Sequence, residues 1–200
     1  QRQMCIRDSP KWLNGISVAR NFFTSTGGWR AVIGDLFTKD NIRRVACALA
    51  RRMVREGTAE IGMCIGYDRR FLSREAAIWF SEVMAGEGVK LYFVNLAAPT
   101  PQLMFTTKHM HLPYGAEGTA SHNPAIYNGI KVFTAGGRDA EKAVTRKIEE
   151  EIAKLRPEDI KSIPYAQALA SGIIREGYPF NEYIDSILGM VDVEKIKQSR

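Results

Sequence analysis

No stretch of this chain approaches the roughly 18 consecutive apolar residues of a membrane span. Its apolar runs, such as Leu91-Tyr92-Phe93-Val94, are far shorter and strand-sized. Arg2, Arg7, Asp8, Lys11 and Arg20 break up the N-terminal region, so nothing resembles a secretory signal and a cytoplasmic location is the default expectation. Cysteine is scarce: Cys5, Cys47 and Cys64 are odd in number and far apart, which fits neither a disulfide framework nor a C-x-x-C zinc or redox pair. Reduced, mostly buried thiols are expected. Internal repeats and low-complexity tracts are missing as well. What is present is ordinary globular composition: 200 residues, 45% hydrophobic, 25% charged and 10% aromatic. This excludes disordered and collagenous chains and allows one large domain or one domain plus part of another.

Basic residues outnumber acidic ones, 28 to 22, for a net charge of +6. They gather at Arg43-Arg44, Arg51-Arg52, Arg55, Arg69-Arg70 and Arg74, without the interleaved aromatics that stack on single-stranded bases. An anionic small molecule fits this balance better than nucleic acid, and neither a nucleic-acid nor a membrane partner is expected.

Residues 1–12 lack periodicity and read as a leader outside the fold, frayed or non-native. From Thr38 the pattern becomes regular. Thr38 caps a predicted helix with Ile42, Val45, Ala46, Leu49 and Met53 on one face and Gly57 as its stop. An apolar strand over 61–67 follows, then a polar loop over 68–72, a helix from Ser73 to Ala85 and a strand over 89–95. Pro99 and Pro101 punctuate a loop before a short helix over 103–109. Tyr114 to Gly118 and Gly129 to Phe133 are predicted strands, the first weakened by Gly115 and Gly118. A charged helix is expected over 139–155, a short connecting strand over 161–163, a turn over 177–180 and an amphipathic helix from Tyr183 to Val191. This alternation indicates an α/β fold with a mostly parallel mixed sheet between helical layers, and a site on loops at the carboxyl ends of its strands. The domain reading is 13–165 for the first unit and 166–200 for the truncated start of a second.

The segment that carries chemistry is Gly118-Thr-Ala-Ser-His-Asn-Pro-Ala-Ile-Tyr-Asn-Gly-Ile-Lys-Val-Phe133. It reads as a tight polar loop between strands, with Asn123-Pro124 forcing one turn and Asn128-Gly129 another, so that the Ser121 hydroxyl sits at a rigid apex. Adjacent side chains of an extended segment point apart, which makes Ser121 and His122 a poor nucleophile and base pair, and no G-x-S-x-G elbow surrounds Ser121.

Thr119-Ala-Ser-His-Asn-Pro124 followed by Tyr127-Asn-Gly-x-Lys131 resembles the phosphoserine loop of the α-D-phosphohexomutases, the family of phosphoglucomutase and phosphomannomutase. Thr26-x-Gly28-Trp29-Arg30, Gly66-Tyr67-Asp68-x-Arg70-Phe71-Leu72-Ser73 and Pro99-Thr100-Pro101 match in the expected order. Ser25-Thr26-Gly27 departs from the family's usual Gly-Thr-Asp or Gly-Thr-Ser, and Ala116 and Gly118 stand at usually apolar positions.

The resemblance implies a three-layer first domain and an isomerase that moves a phosphoryl group between C1 and C6 of a hexose phosphate through phosphoserine 121 and a bisphosphate intermediate. It implies catalytic roles for Ser121, Arg30, His122 and Lys131, and substrate contacts from Arg30, His122, Asn123 and Lys131. Lys131 either stabilises charge or acts as general acid and base; His122 either donates to substrate or orients the loop. Asp68 and Arg70 are expected to brace the loop. The implied cofactors are Mg2+ and an activating hexose 1,6-bisphosphate. Of the metal ligands, this chain carries only Ser121, through its phosphate; an Asp-Gly-Asp-x-Asp-Arg loop is not among its 200 residues. The expected partners are therefore a hexose phosphate and the family's domains II to IV. Alternatives are a phosphoglucosamine mutase or a non-catalytic anion-binding module.

Overall fold

The computed structural model describes residues 28–199, together with Phe23 and the backbone of 12–13 and 16–17. The leader reading for 1–12 and the variant Ser25-Thr26-Gly27 lie outside the described residues, Trp12 excepted. Two short strands, β1 (Trp12–Leu13) and β2 (Ile16–Ser17), pair with each other. The main sheet follows: β3 (Gly28–Val32), β4 (Met63–Tyr67), β5 (Leu91–Val94), β6 (Tyr114–Gly118), β7 (Tyr127–Thr134), β8 (Arg138–Asp139) and β9 (Ile174–Gly177). Its order is β3-β7-β6-β4-β5-β9, with β8 against β7. The sheet is mixed: β6, β4, β5 and β9 run parallel, whereas β7 is antiparallel to β3, β6 and β8.

Helix α1 (Lys39–Arg55) starts where Thr38 Oγ1 accepts the Asn41 amide at 3.3 Å. It buries Ile42, Val45, Ala46, Leu49 and Met53 completely, as its 3.6-residue period requires. At roughly 1.5–3 kcal/mol for each large apolar side chain, that stripe anchors the layer. Its alanines let α2 (Ser73–Gly86) pack alongside, and the main core lies between this pair and the sheet. On the opposite face, α3 (Thr100–His109) covers a smaller core of Val94, Ala98, Leu103 and Phe133. The remaining elements are α4 (Lys142–Ile152), a 3-10 turn (Pro157–Asp159), α5 (Tyr165–Ala170), α6 (Phe180–Leu188) and α7 (Val193–Gln198).

Four local expectations are corrected. Pro99 and Pro101 do not delay α3 to residue 103; it starts at Thr100, because proline in the first helical turn forfeits no intrahelical hydrogen bond. Asn128-Gly129 is no turn but part of β7. Glycine is needed there because a Cβ would press into the Trp29 carbonyl oxygen on the next strand. Residues 161–163 form no strand; they cross α2, where Ile163 donates to the Glu82 carbonyl at 2.9 Å and Ser162 backbone occupies the space a Cβ on Gly86 would need. Finally, β9 ends at Gly177, inside the stretch read as a turn, and pairs in parallel with β5, so the sheet takes a strand from beyond residue 165.

Four α1 arginines tie the helix to neighbouring groups. Arg43 donates to Ser162 Oγ, Arg51 to the Asp159 carbonyl, Arg52 to Tyr114 Oη, and Arg55 pairs with Glu151. Cys47 and Cys64 are buried and free, with burial pushing each thiol up to about 12, so both are unreactive. No helix among the described residues is long and apolar enough to cross a membrane.

Candidate functional site

The loop over residues 119–126 leaves the carboxyl end of β6 beside the loop over 68–72, which leaves β4. The Asp68 amide donates to the Gly118 carbonyl at 3.0 Å and so fastens the two loops together. Gly118 allows this closeness, since a Cβ there would stand 2.8 Å from the Ser73 carbonyl oxygen.

Asp68 organises the junction. Its Oδ1 accepts from the Ser73 hydroxyl at 2.6 Å and the Arg70 amide at 2.9 Å; its Oδ2 accepts from the Thr119 hydroxyl at 2.7 Å. Thr119 Oγ1 in turn accepts the Ser121 amide at 3.0 Å. Arg70 lies under the loop and donates to four of its carbonyls, those of Ser121, Asn123, Pro124 and Tyr127, at 2.5 to 3.1 Å. A guanidinium suits this task, because its rigid fork can satisfy several acceptors at once. The bracing expected of Asp68 and Arg70 is thus present in detail. Asn128, fully buried, closes the junction by donating to the Phe71 carbonyl at 2.8 Å and Ser73 Oγ at 2.9 Å.

At the apex Ser121 adopts φ 55°, a left-handed conformation that L-residues avoid. Its backbone is held there by Thr119 on one side and Arg70 on the other, while the hydroxyl stays exposed. The left-handed turn also overturns the expectation that Ser121 and His122 diverge: that argument assumed extended backbone, whereas Ser121 Oγ and His122 Nδ1 stand 3.3 Å apart. Asn123 shapes the turn through its backbone, donating to the Ala120 carbonyl at 3.1 Å.

Arg30 and Lys131 approach from the antiparallel edge. Arg30 pairs with Gly129 and Lys131 with both Gly28 and Glu117, so Arg30, Lys131 and Glu117 share one sheet face, the one covered by α3. Arg30 is half-buried and has no ion-pair partner among the described residues. Lys131 Nζ lies 3.0 Å from Asp139 Oδ1 and 5.7 Å from the Phe133 ring centre. One basic side chain therefore lies on the strand that leaves the serine loop and another on the strand beside it.

Sequence reasoning missed Glu117. It is fully buried, its Oε2 accepts from the Thr100 hydroxyl at 2.6 Å, and burial pushes its carboxyl up to about 7. The signal was a lone acidic residue inside an otherwise uncharged strand. The Pro99-Thr100-Pro101 segment gains a purpose from it, as Thr100 is the hydroxyl that meets this carboxyl.

A magnesium ion takes about six oxygen ligands. Among the described residues no three His, Cys, Asp or Glu side chains converge on one point, and both Asp68 oxygens are already committed. These residues do not form a magnesium site by themselves.

Residues 22–159 match the family model described as phosphoglucomutase/phosphomannomutase, alpha/beta/alpha domain I. A phosphoglucomutase of Staphylococcus aureus strain MRSA252 is 37% identical over 132 residues, which is 62% of this chain and 24% of that protein. One from Staphylococcus saprophyticus is 27% identical over 86% of this chain and 33% of its own length. A crystal structure described as a phosphomannomutase from Thermus thermophilus superposes with a TM-score of 0.75 at 27% identity, covering 86% of this chain and 37% of that one. The chain thus spans about a quarter to a third of the length of these curated relatives. With the matched segment running from before β3 to the 3-10 turn, and the serine loop, its arginine brace and both basic residues inside it, the chain belongs to the phosphoglucomutase/phosphomannomutase family.

Proposed function

We propose that this chain is the phosphoryl-carrying part of a phosphohexomutase, with Ser121 as the group that accepts and returns the phosphoryl. The observation that supports the reading most is the conformation of Ser121: a solvent-facing hydroxyl on a left-handed residue that Thr119, Asp68 and Arg70 hold in place through hydrogen bonds. Strain of this kind, of order 1–3 kcal/mol, persists only where the surroundings impose it.

In the proposed reaction Ser121 Oγ attacks a phosphoryl of a hexose 1,6-bisphosphate. The new P–O bond forms at the serine, the sugar's P–O bond breaks, the serine proton departs and the released sugar oxygen gains one. In the reverse step the serine returns its phosphoryl to the other hydroxyl. Charge spreads over the phosphoryl oxygens throughout, so positioning and nearby cations supply most of the catalysis. Arg30 offers a planar donor array for those oxygens, and Lys131 offers a compact charge or, with its proton shared, an acid–base group. His122 Nδ1, beside Ser121 Oγ, either orients the hydroxyl or takes its proton. Asn123 completes the substrate contacts. Mg2+, held in part by the phosphoserine, belongs to this proposal for the whole protein, as do the hexose phosphate and the further domains. A cytoplasmic location follows from a soluble sugar-phosphate substrate.

The reading is tested by the interconversion of glucose 1-phosphate and glucose 6-phosphate by the intact protein that carries this segment, supplied with Mg2+ and a bisphosphate primer. Ser121→Ala should lower kcat by at least about 10³, the scale seen when a covalent nucleophile is removed. Wild-type rates in that variant would overturn it.

A further inference from the structure

We propose that Glu117 is a positioning residue for Lys131: its buried carboxyl, directly across the β6–β7 pair, competes with Asp139 for the lysine's ammonium. The proposal rests on the role given to Lys131 above and extends it by one residue.

The geometry is specific. Glu117 and Lys131 are register partners on the same sheet face, where facing Cβ atoms stand about 5 Å apart. On its other side Lys131 faces Gly28, where even a Cβ would make only ordinary contact with Lys131 Cγ, at 3.8 Å. Glu117 is completely buried and only half satisfied: Oε2 takes the Thr100 hydroxyl, whereas Oε1 has no hydrogen-bond partner among the described residues. A buried carboxyl oxygen left empty is costly, and the cation opposite it is the natural occupant. That cation stands instead 3.0 Å from Asp139 Oδ1, an oxygen that is itself buried and without a hydrogen bond among the described residues, on a side chain that is 41% exposed.

Among the described residues two charged groups act on Glu117: Lys131 and Asp68. Burial favours the neutral carboxyl most; the Thr100 hydrogen bond opposes this, Asp68 from the β4–α2 loop adds to it, and Lys131 opposes it. The first turn of α3 brings no acidic residue. The carboxyl therefore changes charge near neutrality. While it is protonated, Lys131 stays with Asp139. Once ionised, it draws the ammonium inward. A phosphoryl dianion on Ser121 favours the protonated form, which keeps Lys131 from being drawn inward and leaves Asp139 as the phosphate's one competitor for it among these groups.

The test is carboxyl-carbon and lysine-nitrogen NMR across pH on this chain, with Glu117 assigned through E117Q. Glu117 should titrate far above the surface glutamates, K131M should raise its midpoint by at least about half a pH unit, and the Lys131 Nζ signal should follow that midpoint in wild type and be flat across it in E117Q. Should E117Q fail to fold, K131M, which keeps the apolar stem of a half-buried side chain, gives the same answer from the other side. A Glu117 midpoint among the surface carboxylates, or one indifferent to K131M, overturns the proposal. In the intact protein E117Q should shift the neutral limb of the kcat profile while KM stays within about two-fold, an outcome that a purely structural role would not produce. Coupling by NMR without mutase activity sinks the functional reading alone; full mutase activity without coupling sinks this proposal alone.

Discussion

At the scale of single residues, Ser121 trades stability for presentation. Glycine accepts φ 55° freely, so Ser121→Gly should raise stability by about 1 kcal/mol while abolishing phosphoryl acceptance. Chemical denaturation and phosphate labelling read the two effects separately. Arg70→Met should cost about 3 kcal/mol, because four loop carbonyls lose their donor and Asp68 loses its countercharge at 3.6 Å. Glu117 sets a pH dependence whose sign follows from its displaced value. Its carboxyl moves from 4.5 when unfolded to about 7 when folded, so the folded state binds the proton more tightly. Its contribution is full below about pH 4.5 and is lost as pH rises to about 7, a change of about 3 kcal/mol. In E117Q that slope should vanish from denaturation midpoints measured between those limits. The Ser121 loop was legible because its unusual residues are contiguous. Glu117 was not, since what makes it unusual is the register partner opposite it, and register is a tertiary fact.

Elements show the same division. Helix α1 was readable from Thr38 to Gly57, because an amphipathic stripe and two end signals agree along the sequence. Asn128-Gly129 misled for a physical reason: the glycine answers a neighbouring strand's carbonyl, not a turn, and nothing within the sequence distinguishes those needs. Gly115 is the same case, its Cβ space being occupied by the Thr107 hydroxyl of α3. Gly129→Ala should therefore separate β3 from β7 and cost upwards of about 3 kcal/mol, against roughly 1 kcal/mol gained at an unobstructed helical site. Thermal melts of the variant decide between the two. Strand β9 was missed because its partner, β5, lies far earlier in the chain, with three strands and several helices between them.

For the molecule as a whole, the α/β architecture was predictable from the alternation of strands and helices, while the antiparallel edge that carries Arg30 and Lys131 was not, since strand direction depends on which neighbours pair. The chain matches a third or less of its curated relatives' lengths, and its described residues form no magnesium cluster. These 200 residues alone should convert no glucose 1-phosphate above the blank in a coupled assay, even with Mg2+ and primer supplied.

The most direct measurement is the location of the phosphoryl group. Intact protein is incubated with Mg2+ and a hexose 1,6-bisphosphate labelled in both phosphates, quenched in acid and mapped by peptide mass spectrometry. The account predicts label on the peptide containing Ser121, chased onto unlabelled glucose 1-phosphate and lost in Ser121→Ala. Label that reaches product while Ser121 remains unmodified would contradict it.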